Sequence, residues 1–111
     1  MTINFGGLNS MWLIVLFDLP TETSQQRKEY TKFRTHLLKS GFTMMQYSVY
    51  IRHSASEENT ESHINRVRSV LPPRGEVRIL RLTDKQYGKM EVFYGAKRVP
   101  TEKAALQLQF F

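Results

Sequence analysis

The sequence predicts a single α+β domain, and three observations carry that prediction. The run Met11 to Phe17 is apolar at every position, as a strand covered on both faces requires. Two later stretches repeat apolar residues at helical spacing, and the segments around them are dense in β-branched and aromatic residues. The chain has 111 residues, 41% of them hydrophobic and 12% aromatic, which supplies one ordinary core and leaves little for a second domain.

Residues 1–10 are small and polar apart from Ile3, Phe5 and Leu8, and Gly6-Gly7 lies among them, so they read as a flexible lead-in to one domain over 11–111. Asp18-Leu19-Pro20 ends the first strand. Thr23 or Ser24 then caps a helix in which Tyr30, Phe33, Leu37 and Leu38 share a face, and Gly41 closes it. Lys28, Lys32 and Lys39 project from its other face, while Arg27 and Arg34 flank the apolar stripe and are expected to be partly held by packing. Residues 42–53 read as strand, but the alternation slips around Gln46 to Ser48, which a bulge or a break into two short strands would explain.

Ser54 and Glu57 have capping-box spacing for a second helix, whose stripe is Ile64, Val67, Val70 and Leu71 and whose stop is Pro72-Pro73. Glu57, Glu58 and Glu61 fall in its first turns, where the macrodipole favours them. Gly75 opens a strand over Val77 to Leu82, Thr83 to Gln86 is a polar connection, and Met90 to Tyr94 is a further strand. Leu106 to Phe110 alternates cleanly and reads as a last, one-sided strand. This order describes a ferredoxin-like βαββαβ sandwich with an extra C-terminal strand. Two helices cover one face of such a sheet, yet the first strand is apolar on both. A second copy of the chain is therefore expected on the other face, making a homodimer.

Composition narrows the function classes. There is no cysteine, hence no disulfide framework, thiolate zinc site or cysteine nucleophile, and a reducing cytoplasm is the expected compartment. The longest uncharged apolar run is far below the roughly 20 residues of a membrane helix, so no membrane partner is expected. The net charge is +6, and it divides unevenly: residues 1–65 hold six basic and six acidic side chains, residues 66–103 ten and four. A positive sheet-and-turn region facing an anionic partner is the expectation. Signatures for a P-loop, a serine nucleophile elbow, an HExxH zinc site and an RNA-recognition-motif sheet are all absent. A small-molecule sensor would want a glycine-rich phosphate loop, which is also missing. His36, His53 and His63 lack metal-site spacing and read as surface or turn residues.

Asp18 is the only charge among the first 21 residues and sits where a buried strand ends. A carboxylate there can ligate a hard cation such as magnesium, and in a dimer two copies could share one ion; hydrogen bonding to the turn before Pro20 is the plainer alternative. Arg27, Arg34, Arg74, Arg78, Arg81, Lys97 and Arg98 are the candidate phosphate contacts, arginine ahead of lysine because its planar fork matches phosphate oxygens. Tyr47, Tyr50, Tyr87, Phe93 and Tyr94 could stack on bases, although core or dimer packing is the commoner role for such side chains.

One family shares these features. Leu16-Phe17-Asp18-Leu19-Pro20-Thr21-Glu22-Thr23, Arg27-Lys28, Lys32-Phe33-Arg34, Gly41-Phe42, Gln46-Tyr47-Ser48-Val49-Tyr50, Thr83 to Tyr87 and Phe93-Tyr94-Gly95 together resemble CRISPR-associated protein 2, in the branch found beside single-protein RNA-guided effectors. The resemblance covers most of residues 11–110. It implies a ferredoxin-like homodimer whose last strand crosses to the partner's sheet, an integrase and double-stranded DNA as partners, and Asp18 as a magnesium ligand paired with its twin. It also implies two rival functions, a duplex-holding scaffold in spacer acquisition and a magnesium-dependent endonuclease on single-stranded RNA or double-stranded DNA. Phe17 stands where the family often has tyrosine, and Gln25-Gln26-Arg27 where it has an arginine-rich turn. A phenylalanine cannot donate a hydrogen bond, so these departures favour the scaffold.

Overall fold

The computed structural model describes residues 10–102. Strand β1 (Met11–Asp18) is followed by helix α1 (Ser24–Lys39), strands β2 (Thr43–Gln46) and β3 (Val49–Ser54), helix α2 (Glu57–Ser69) and strand β4 (Glu76–Thr83). The sheet runs β2-β3-β1-β4 and is antiparallel at every pairing, a connectivity compatible with the expected ferredoxin-like sandwich. A short helix α3 (Asp84–Gly88) and a separate hairpin of β5 (Val92–Tyr94) and β6 (Lys97–Val99) follow. The strand expected over Leu106 to Phe110 and residues 1–9 of the expected lead-in lie outside the described residues. Ser10, the lead-in residue that is described, is buried, with its hydroxyl 2.6 Å from His53 Nε2.

β1 is central, which explains its unbroken apolar run. Leu13, Val15 and Phe17 face the helices and pack with Phe33 and Leu37 of α1 and Ile64 and Val67 of α2. Trp12, Ile14 and Leu16 face the other side, where Trp12 and Ile14 join Ile51 and Tyr87 in a second cluster. Burying this strand on both faces contributes about 25 cal/mol per Å² of apolar surface removed from water.

Several boundaries differ from expectation for physical reasons. The slip near Gln46 is both a bulge and a break: the register shifts between Met44 and Gln46, and Ser48 adopts φ 63° in the turn before β3. Ser56, not Ser54, caps α2, accepting from the Asn59 amide at 3.1 Å, because β3 continues through Ser54. Ser54 is buried and instead receives the Thr60 hydroxyl at 2.9 Å. α2 ends at Ser69, so Leu71 lies outside it and is exposed; Pro72 disfavours helical backbone at residue 71. The polar connection Thr83 to Gln86 is a helix start, with Thr83 and Gln86 forming a reciprocal capping box.

That last correction bears on the uncovered sheet face. α3 brings Tyr87 over Trp12, rings stacked at 3.8 Å and 8° between planes, so part of the second face is covered within the chain. Leu16 is only half-buried and Leu80, which pairs with Ile14 and lies diagonally from Leu16 on the same face, is 46% exposed. The open patch is the half of that face around these two residues.

Candidate nucleic-acid interface

The β1–β4 register builds the site around Asp18. It pairs Asp18 with Glu76 and Leu16 with Arg78, all four side chains on the open face because strand residues two apart share a face. The strand end is fixed on both sides. Phe17 donates its amide to the Ser48 carbonyl at 3.0 Å. Gly75, at φ +87°, lets the chain pass so close that a β-carbon there would sit 2.6 Å from the Asp18 carbonyl oxygen. The result is a shallow groove of about 240 Å³ in which Asp18, Tyr47, Glu76 and Arg78 converge.

Arg78 grips Glu76 with two hydrogen bonds, 3.1 and 3.3 Å, and this contact lowers the glutamate's pKa and raises the arginine's. Asp18 is exposed at the groove. As a magnesium site, one chain offers a single free carboxylate and a second whose oxygens Arg78 already occupies; among the described residues no group of three His, Cys, Asp or Glu could hold a metal. These residues fit such an ion only as half of a site completed by another chain. Sequence reasoning did not single out Glu76. Its spacing from Asp18 carries no signal, and only the strand register brings the two together.

The candidate cations separate into two groups. Three are engaged with carboxylates: Arg78 with Glu76, Arg81 with Glu61 of α2, and Arg74 with Glu29 of α1 at 3.7 Å. Arg78 and Arg81, three residues apart on a strand, point to opposite faces of the sheet. Arg27 donates to the Thr21 and Glu22 carbonyls at 3.2 and 3.0 Å and so braces the loop before α1. Arg34, Lys97 and Arg98 are exposed, and among the described residues their side chains make no hydrogen bond or ion pair. Both helix arginines are exposed, whereas the sequence reading expected packing to hold them in part.

This changes the charge map. Glu29 and Glu61 belong to the first half of the sequence and neutralise arginines of the second, so the surplus does not stay on the third strand region. Unengaged cations are found on the outer face of α1 and on the β5–β6 hairpin, among other exposed positions. The histidines also differ from a surface reading. His63 is buried on α2, its pKa lowered by burial and then by Arg52 and Arg66, and His53 is half-buried 3.4 Å from Asp84. Among the aromatics, Tyr50 and Tyr87 are core residues, whereas Tyr47, Phe93 and Tyr94 are exposed.

Comparison with known proteins is decisive about the family. The family model for CRISPR associated protein Cas2 matches residues 11–90, the whole of the sheet, both long helices and α3. The chain belongs to the Cas2 family. It is 55% identical over 101 residues to the CRISPR-associated endoribonuclease Cas2 of Parvibaculum lavamentivorans, an alignment spanning 91% of this chain and 100% of that one. A second relative of the same name, from Flavobacterium psychrophilum, is 51% identical over 102 residues, 92% of this chain and 89% of its own. The Cas2 match ends before the β5–β6 hairpin that carries Lys97 and Arg98, while the two relatives' alignments cover over nine-tenths of the chain. No helix among the described residues is long and apolar enough to cross a membrane.

Proposed function

We propose that this Cas2 family chain is a homodimeric, duplex-DNA-binding scaffold in CRISPR spacer acquisition, working beside a CRISPR-associated integrase. The carrying observation is the division of labour among its charges. Arg34, Lys97 and Arg98 are exposed and free for phosphates, whereas the Asp18 groove has no histidine or cysteine in its lining and its second carboxylate is occupied by Arg78. Unpaired surface cations suit sequence-independent backbone contacts. The half-open sheet face around Leu16 and Leu80 supports association with a second copy, which would double the net charge along one particle.

A magnesium-dependent endonuclease, on single-stranded RNA or double-stranded DNA, is the second reading. Two observations favour it: the relatives are named endoribonucleases, and the Asp18 and Glu76 carboxylates lie opposite one another on one face. Asp18 and its twin would hold the ion, which would polarise the scissile phosphate and activate water. Asp18→Asn separates the readings. Spacer integration that proceeds unchanged supports the scaffold; integration lost while dimer mass and duplex affinity are preserved supports catalysis.

A further inference from the structure

From the groove between α1 and the segment that follows α2 we infer a docking site for an acidic amphipathic segment of a partner protein. The inference does not depend on the nucleic-acid reading. The groove is built from the helix layer, on the opposite side of the sheet from the open patch around Leu16 and Leu80.

The groove encloses about 450 Å³, and its two walls differ in chemistry. Along one, Lys28, Lys32 and His36 recur every four residues of α1, so they share a face over about 12 Å of helix. Along the other stand Leu71, 48% exposed, and Pro72-Pro73, with the buried Phe33 and the half-buried Val70 beneath. Among the described residues neither lysine's side chain meets a carboxylate. Glu29, the acid between them, is engaged by Arg74 at 3.7 Å and is only 16% exposed. Lysines four apart on a helix repel one another, and an approaching carboxylate relieves that repulsion. The apolar wall is stiff before anything binds, because proline fixes φ at two successive positions beside Leu71.

Together the walls select the occupant. A segment with carboxylates along one edge and aliphatic side chains along the other satisfies both, and about two to three turns of amphipathic helix match the length. Residues 1–9 and 103–111 contain no aspartate or glutamate, so neither end of this chain matches the basic wall. A second copy presenting the same groove would set Lys28 and Lys32 against their twins, a like-charge contact. Nucleic acid would meet the lysines with phosphates but leave the other wall unused, since Pro72 and Pro73 have no N–H to donate and Leu71 would stay in water. The occupant is therefore an acidic segment of a different protein.

Fluorescence anisotropy of the intact protein with a labelled synthetic peptide tests this, the peptide placing leucines on one helical face and glutamates on the other over about 14 residues. It should bind, whereas versions with lysine for glutamate or serine for leucine should not. Leu71→Ser should weaken binding about 3- to 10-fold, and Lys28→Ala with Lys32→Ala roughly 3- to 30-fold, at unchanged oligomer mass. A wild-type protein that does not bind the leucine–glutamate peptide overturns the inference. Equal binding of the serine version also overturns it, because charge attraction alone would then explain the contact. A blunt duplex that displaces the peptide, while Leu71→Ser weakens neither ligand, would give the lysines to nucleic acid instead. A fall in oligomer mass with Leu71→Ser would make the groove a contact between copies and sink the proposal as well.

Discussion

Replacing Gly75 with alanine would drive a methyl group into the backbone of the strand end that carries Asp18. The added β-carbon would stand 2.6 Å from the Asp18 carbonyl oxygen, 2.7 Å from a Leu19 methyl and 2.9 Å from the Leu19 α-carbon. Leu19 is buried, and two of the three atoms met are backbone, so the neighbours have little room to yield. The left-handed φ of +87° adds a cost of about 1–2 kcal/mol for any residue with a β-carbon. Overpacking contributes roughly 1–3 kcal/mol more. The expected loss is therefore about 2–5 kcal/mol, a large share of the 5–15 kcal/mol that usually stabilises a domain. Urea unfolding at matched protein concentration, followed by the single tryptophan, Trp12, which is buried against Tyr87, reads it directly. Gly88→Ala is the control. That position lies in α3 with no atom within 4 Å of an added β-carbon, so the change should be neutral or mildly stabilising. A Gly75→Ala loss below about 0.5 kcal/mol would refute the close-packed strand end, since that is the scatter of ordinary surface changes.

Further outcomes follow from the charges. Burial and the nearby Arg52 and Arg66 hold the His63 pKa below its ordinary value of 6.5, so below that pH the unfolded chain binds the extra proton. Stability should be complete above about pH 6.5 and decline as pH falls, and His63→Gln should flatten that decline in urea titrations across pH 4.5 to 7.5. A decline equally steep in the variant would assign it to other groups. Arg81→Ala should alter duplex affinity less than Arg98→Ala by fluorescence anisotropy, because Arg81 is engaged by Glu61 while Arg98 is free; the reverse order would contradict the charge map. Thr83→Ala should cost about 1 kcal/mol by removing one half of the α3 capping box, and near-ultraviolet circular dichroism of the Trp12–Tyr87 stack should weaken with it.

The parts of the fold that sequence revealed are those with strong periodicity or strong punctuation. The unbroken apolar run of β1, the stripes of both long helices and the Pro72-Pro73 stop each dictate an element by themselves. α3 was hidden because five residues are too short for a periodic signal, and its capping box spans Thr83 and Gln86 in a run that is polar throughout. The Ser56 cap was obscured by Ser54, which has the same chemistry two positions earlier. At the site, Asp18 is conspicuous as a lone charge after an apolar strand. Glu76 and Tyr47 join it only through strand register and a left-handed turn at Ser48, neither of which residue spacing encodes. The pairing of Arg74 with Glu29 and Arg81 with Glu61 is long-range for the same reason, so the charge count by sequence halves does not reveal that these arginines are engaged.

The salt dependence of duplex binding tests the scaffold reading most directly. Of the seven candidate phosphate contacts, Arg34, Lys97 and Arg98 have side chains without a partner among the described residues, and if these carry the contacts they give six in a dimer. Each neutralised phosphate contributes about −0.9 to the slope of log affinity against log salt, so a slope near −5 is expected, and the triple alanine variant should lose most of it. A slope near zero for the wild-type protein, or one that the triple variant leaves unchanged, would contradict the account.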